Sequence, residues 1–174
     1  MGLILPVKGV SPSFGEDNWV APNATIVGDV QTGKHCTIWF NAVVRGDVNS
    51  IRIGDYSNIQ DGAVVHCTYQ KTVTSIGSYV SIAHNAIVHG CTIEDNVLIG
   101  MGAIVMDNAY IEEGSIVAAG AVVTQGTRVP AGTIYAGNPA KYLKDVSPDA
   151  AEVFKRTAYN YVEYASWFSN PTHE

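Results

Sequence analysis

From Ile93 onward the chain carries a large apolar residue at every sixth position, through Ile99, Val105, Ile111, Val117, Val123 and Val129 to Tyr135. Four residues after most of these rungs comes a small or β-branched residue, as at Val97, Ala103, Ala109, Ser115, Ala121, Thr127 and Thr133. The same beat runs earlier through Val20, Ile26, Thr32, Ile38 and Val44, then Ile53, Ile59 and Val65, then Ile76, Ile82 and Val88. Such a period fits neither the 3.6-residue repeat of an amphipathic helix nor the alternation of an ordinary strand. It is the period of a hexapeptide solenoid, an all-β coil in which each unit buries a face only against the next layer. Three units, each a short strand and a turn, close a triangular coil. Rung residues then point inward, and the residues beside them point out or sit at corners.

Phase decides which side chains meet. With Ile26 on face A, the following face A rungs are Val44, Val65, Val88 and Val105, and the rungs between supply faces B and C. This phasing needs a short step from Val88 to Ile93 and a long one from Val65 to Ile76, with Tyr69 to Thr74 bulging as a loop from a corner. The outward column beside face A reads Val27, Arg45, His66, His89 and Met106. Layers of a parallel sheet lie about 4.8 Å apart, so His66 and His89 can aim two imidazoles at one ion.

His84 falls on face C, in a column with Phe40, Asp61 and Met101. A different side of the triangle carries it, so it joins the other two only where prisms pack side by side. The sequence therefore predicts a homotrimer with metal sites at its interfaces, each using His66 and His89 of one chain and His84 of its neighbour. Three neutral imidazoles with a fourth position open is the arrangement of catalytic zinc, and Fe2+ or Co2+ accepts the same ligands. The plainer reading of an outward histidine is a solvated side chain, which suits His35 and His173, neither of which has a partner in phase. For the other three the rival is an interface held by histidine hydrogen bonds without metal.

At 174 residues the chain is long enough for a self-sufficient core and too short for two ordinary domains. Charged residues make up only 15% and hydrophobic ones 47%, which suits large buried interfaces. A net charge of −6 and a pI near 5.2, with no basic cluster, argue against nucleic acid and anionic membranes. Small molecules and copies of itself are the expected partners. No stretch has the length of a transmembrane helix, and the first residues lack the order of a signal peptide, so a cytoplasmic protein is expected. Cys36, Cys67 and Cys91 form no CxxC pair, which argues against a disulfide framework. Cys67 and Cys91 adjoin His66 and His89, but residues past a rung turn towards a corner and away from the column.

These signals divide the chain into an N-terminal cap (1–19), a β-helix (20–140), and a linker with a C-terminal helix (141–174). Gly137-Asn138-Pro139 breaks the beat, and Phe14 to Trp19 is placed to cover the first coil. Ser147, Pro148, Asp149 and Glu152 form a helix start. The stripe Val153, Tyr161, Val162, Tyr164, Ala165, Trp167 and Phe168 then predicts a helix lying along the prism and reaching a neighbouring chain.

The runs Arg45-Gly46-Asp47, Asn58-Ile59-Gln60-Asp61-Gly62, Val64-Val65-His66, Ser81-Ile82-Ala83-His84 and Val88-His89-Gly90-Cys91 resemble those of the gamma-class carbonic anhydrases and their bacterial homologues. The resemblance spans nearly the whole chain. It implies a left-handed β-helix, an exception to the right-handed crossover rule, and a trimer with zinc or ferrous iron between subunits. It further implies reversible hydration of CO2 to bicarbonate by metal-bound hydroxide. His66, His84 and His89 match the family's metal ligands. Arg45 and Asp47 resemble its subunit-bridging pair, Gln60 and Asp61 the pair that orients the bound water, and Tyr161 a tyrosine near the site.

Where the archaeal enzyme of this family carries glutamates associated with proton export, this chain has Val48 and Tyr69, and Glu163 replaces an asparagine. Two other functions fit the same letters. The hexapeptide beat is shared with CoA-dependent acyltransferases, whose chain ends resemble Ala136 to Lys141, and related homologues include an acyl-CoA thioesterase. A metal-stapled scaffold without catalysis also suits the loss of both glutamates.

Overall fold

The computed structural model describes residues 2–169; His173 lies outside them. The chain forms a left-handed parallel β-helix followed by one helix, Ala150–Ser169. Most of its strands are two or three residues long, with one residue half-exposed and the next fully buried. That pattern is what one inward rung per hexapeptide produces.

The registers match the phasing. On face A, Ile26 pairs with Val44, Val44 with Val65, Val65 with Val88, Val88 with Val105 and Val105 with Val123. Face B stacks Thr32, Ile53, Ile76, Ile93, Ile111 and Val129. Face C stacks Val20, Ile38, Ile59, Ile82, Ile99, Val117 and Tyr135. Almost all of these rungs are buried in one continuous core. Each fully buried Val or Ile contributes about 1.5–3 kcal/mol of hydrophobic stabilisation.

Between faces C and A the chain turns through left-handed backbone at Asn41, Gly62, Asn85, Gly102 and Gly120. Asparagine and glycine are the residues that adopt this conformation at least cost. The N–H groups of Gly62, Asn85, Gly102 and Gly120 donate to the carbonyls of Phe40, Asp61, His84 and Met101 in the coil before. That ladder of bonds holds Asp61 and His84 in one column.

Three features depart from the sequence reading. Thr25–Thr32 and Val43–Ile53 run unbroken through the corner between faces A and B, so Val30 and Ile51 become paired, buried residues that no rung spacing marks. Thr74, expected in the loop, opens the strand Thr74–Ile76 and is buried, because its side chain bonds backbone on either side. The helix begins at Ala150, since its first turn closes from the Val153 N–H onto the Asp149 carbonyl.

Leu3–Leu5 adds a parallel strand to Thr25–Thr32, and Lys141–Asp145 folds back antiparallel on Thr133–Ala136. The helix packs against face C. It buries Ala150, Phe154, Ala158 and Ala165, whereas Val153, Trp167 and Phe168 of the expected stripe are exposed. Small residues on the buried face let the helix approach the flat sheet. Phe168 meets Trp19 and Phe40 edge-on or tilted, at 5.5 and 5.4 Å between ring centres.

Candidate metal centre

His66 and His89 close the strands Val64–His66 and Ile87–His89 and are paired in register. One residue past a buried rung, both rings point outward from face A, with His66 Nδ1 and His89 Nε2 3.2 Å apart. The far nitrogens meet acids: His66 Nε2 lies 3.0 Å from Asp47 Oδ1, and His89 Nδ1 lies 2.7 Å from Asp107 Oδ1. Asp47 also binds the Arg45 guanidinium at 2.6 Å. Asp107 accepts from the Thr68 hydroxyl at 2.7 Å and the Thr72 hydroxyl at 3.3 Å.

Burial raises the pKa of Asp47, but hydrogen bonds from Arg45 and His66 outweigh it and hold the carboxyl below its ordinary value. In Asp107 burial is likewise outweighed, here by Thr68 and His89. Both are carboxylates at neutral pH and can only accept, so the ring nitrogen facing each must carry the proton. Burial lowers the pKa of His66, with Asp47 opposing and Arg45 reinforcing the shift, so its ring is neutral at pH 7.

With their far nitrogens on carboxylates, the two rings turn their remaining nitrogens towards each other across 3.2 Å. Nitrogens so close need a cation or a proton between them. Two nitrogens each about 2.0–2.1 Å from one tetrahedral zinc stand roughly 3.3–3.4 Å apart, so the pair fits a shared ion. A carboxylate on the second ring nitrogen is also the usual support of a metal-bound histidine.

His84 stands on face C, its Nδ1 3.0 Å from Asp61 Oδ2, which leaves Nε2 outermost. Gln60 is buried, and its amide nitrogen donates to Asn58 Oδ1 at 2.9 Å; Asn58 in turn donates to Ser81 Oγ at 2.9 Å. Tyr161 comes from the helix and meets Trp39 edge-on at 5.3 Å. Burial, helped by the charge of Asp61, pushes its phenol up to about 12. One chain thus gathers Arg45, Asp47, His66 and His89 on face A, and Asp61, His84 and Tyr161 on the side that carries face C. Among the described residues of one chain, no group of three His, Cys, Asp or Glu is arranged to hold a metal. Cys67 and Cys91 are buried, and desolvation raises both thiols, Cys91 to about 12. Neither is a thiolate.

Residues 90–125 match the Bacterial transferase hexapeptide (six repeats) family. A Methanocaldococcus jannaschii relative named "Probable carbonic anhydrase" is 54% identical over 83% of this chain and 90% of its own. "Gamma carbonic anhydrase 2, mitochondrial" of Arabidopsis thaliana is 41% identical over 93% of this chain. The chain belongs to the gamma-class carbonic anhydrase family. It spans 60% of the length of that plant relative. A solved hexapeptide transferase family protein from Anaplasma phagocytophilum superposes with a TM-score of 0.89 at 43% identity, covering 94% of this chain and 96% of that one.

For a gamma-class member, one group here was not visible in the letters: Asp107 and the threonines around it. The column ending at Met106 stopped one residue short of it. The only available signal was an acid directly after a column position, and loop threonines are too common to mark a site.

Proposed function

We propose that this protein is a metal-dependent, gamma carbonic anhydrase-like lyase that hydrates CO2 reversibly to bicarbonate. It works as a cytoplasmic homotrimer, with His66 and His89 of one chain and His84 of its neighbour holding Zn2+, or Fe2+ or Co2+ in its place. The observation that carries this reading is the pair of opposed ring nitrogens on His66 and His89, 3.2 Å apart, with a carboxylate behind each ring. When bound, the cation lowers the pKa of a coordinated water to about 7 and so supplies a nucleophile at neutral pH.

The chain's own residues do the rest. Asp47 and Asp107 hold the imidazoles in the ligating tautomer, and Arg45 keeps Asp47 ionised and in place. The bond from Gln60 to Asn58 sets the amide so that its oxygen is left to accept from water. Asp61 supports His84, and Tyr161 with Trp39 walls the site on the helix side and excludes bulk solvent. A phenol raised to about 12 does not release protons at neutral pH, so Tyr161 packs and orients. Val48 and exposed Tyr69 offer no carboxylate for proton export. Proton export then falls to Glu163, Tyr69 or buffer, and where buffer carries the proton turnover rises with buffer concentration before it saturates.

Stopped-flow CO2 hydration by zinc-loaded and anaerobically iron-loaded protein tests this. Catalysis with saturable buffer dependence supports it; no catalysis with either metal ends it. The high likeness to a solved hexapeptide transferase family protein favours acyl-CoA hydrolysis or transfer as the second reading. An acyl-CoA assay on the same samples separates the two.

A further inference from the structure

The loop of residues 67–73 and the strand start at Thr74 are bonded into the histidine pair rather than merely passing over it. The Thr68 hydroxyl donates to Asp107 Oδ2 at 2.7 Å, and the Thr72 hydroxyl lies 3.3 Å from Asp107 Oδ1. The Thr68 N–H donates to Thr72 Oγ1 at 2.9 Å, so the two hydroxyls are fixed relative to one another. Thr74 Oγ1 donates to the His66 carbonyl at 2.5 Å and accepts from the Gly90 N–H at 3.0 Å, which ties the strand ends bearing both imidazoles. Gly90 itself has a φ of +58°, and a Cβ there would overlap both Asp107 and Thr72. Only glycine leaves room for the acid beside the ring.

We infer that Asp107, clamped by Thr68 and Thr72, is the positioning residue that aims His89 Nε2 at the shared cation. This rests on the metal reading above. Asp47 does the same for His66, but a cation, Arg45, holds Asp47 in place. Asp107 has hydroxyls instead, contributed by a loop inserted between two rungs. The loop is thus part of the metal site's support, and its sequence tunes the metal affinity without any loop residue touching the ion. An imidazole released from Asp107 turns about its side-chain bonds and exchanges which nitrogen carries the proton; both changes weaken ligation.

Cobalt binding to the full-length protein, by chelator competition and by visible absorption, tests the inference. Wild type is expected to take up cobalt. Asp107→Ala is expected to bind about 10- to 100-fold more weakly, the range typical of lost outer partners, with a changed visible band. Asp107→Asn keeps an acceptor for His89 and recovers part of the loss. Thr68→Val, which frees one Asp107 oxygen, is weakened less than Asp107→Ala. A purely structural role would lower the unfolding temperature of metal-free protein and leave the cobalt band of the bound form unchanged. If Asp107→Ala does not fold, Asp107→Asn and Thr68→Val decide. Variants that match wild type in affinity and spectrum overturn the role of Asp107 alone. A wild type that binds neither cobalt nor zinc overturns the metal reading, and this inference with it.

Discussion

Each of His66, His84 and His89 has one ring nitrogen on an aspartate, respectively Asp47, Asp61 and Asp107. The pairing leaves one nitrogen of every ring clear of its aspartate. His84→Ala should therefore lose bound metal on desalting, measured by elemental analysis, while circular dichroism shows the coil intact; full metal content would remove His84 from the ligand set. The inward cysteines give a separate prediction. Burial pushes Cys36 and Cys91 up to about 12. The stability tied to their protonated form is fully present below about pH 8.5 and is lost as pH rises through the folded-state value. Stability to urea of Cys91→Ala should accordingly fall less steeply than that of wild type between about pH 8.5 and about pH 12, by up to about 1.4 kcal/mol per pH unit; equal slopes would contradict the assignment. At this scale His66 and His89 were legible because both immediately follow a rung, and period alone fixes their side. Asp107 was not, because its partners reach it through a loop whose path no period describes.

Among the elements, the rungs matter more than any strand's length, since strands of two residues have little stability of their own. Ile99 is fully buried in the stack between Ile82 and Val117. Ile99→Ala should cost about 2–5 kcal/mol in urea unfolding; a cost below about 1 kcal/mol would mean the coil closes around the gap. All three faces could be read from the beat because successive coils repeat one geometry. Val30 and Ile51 escaped it because the chain crosses that corner as continuous strand, where alternation replaces the six-residue step. The helix was legible as a helix but not in its facing. Large side chains such as Tyr159 and Trp167 are exposed while Ala150, Ala158 and Ala165 are buried, so hydrophobicity alone does not mark the buried face.

For the molecule as a whole, the outward stripe beside the histidine column is aliphatic: Val43, Val64, Ile87, Ile104 and Val122 stack in register. Apolar surface of this kind calls for cover, and in the proposed trimer a copy of the same chain bringing His84 would supply it. Sedimentation should give three times the 18.6 kDa of one chain. Ile87→Asp, two residues before His89, should give monomers that no longer retain metal; monomers with full metal content would refute a shared site.

The returning strand Lys141–Asp145 bears on how the molecule avoids assembling without limit. A coil of parallel rungs has no intrinsic end, and any bare terminal layer is a template on which another chain could polymerise. By running against Thr133–Ala136, this strand presents the wrong polarity for a further coil on face C. On that face the terminal layer therefore offers no parallel edge for a further coil to extend.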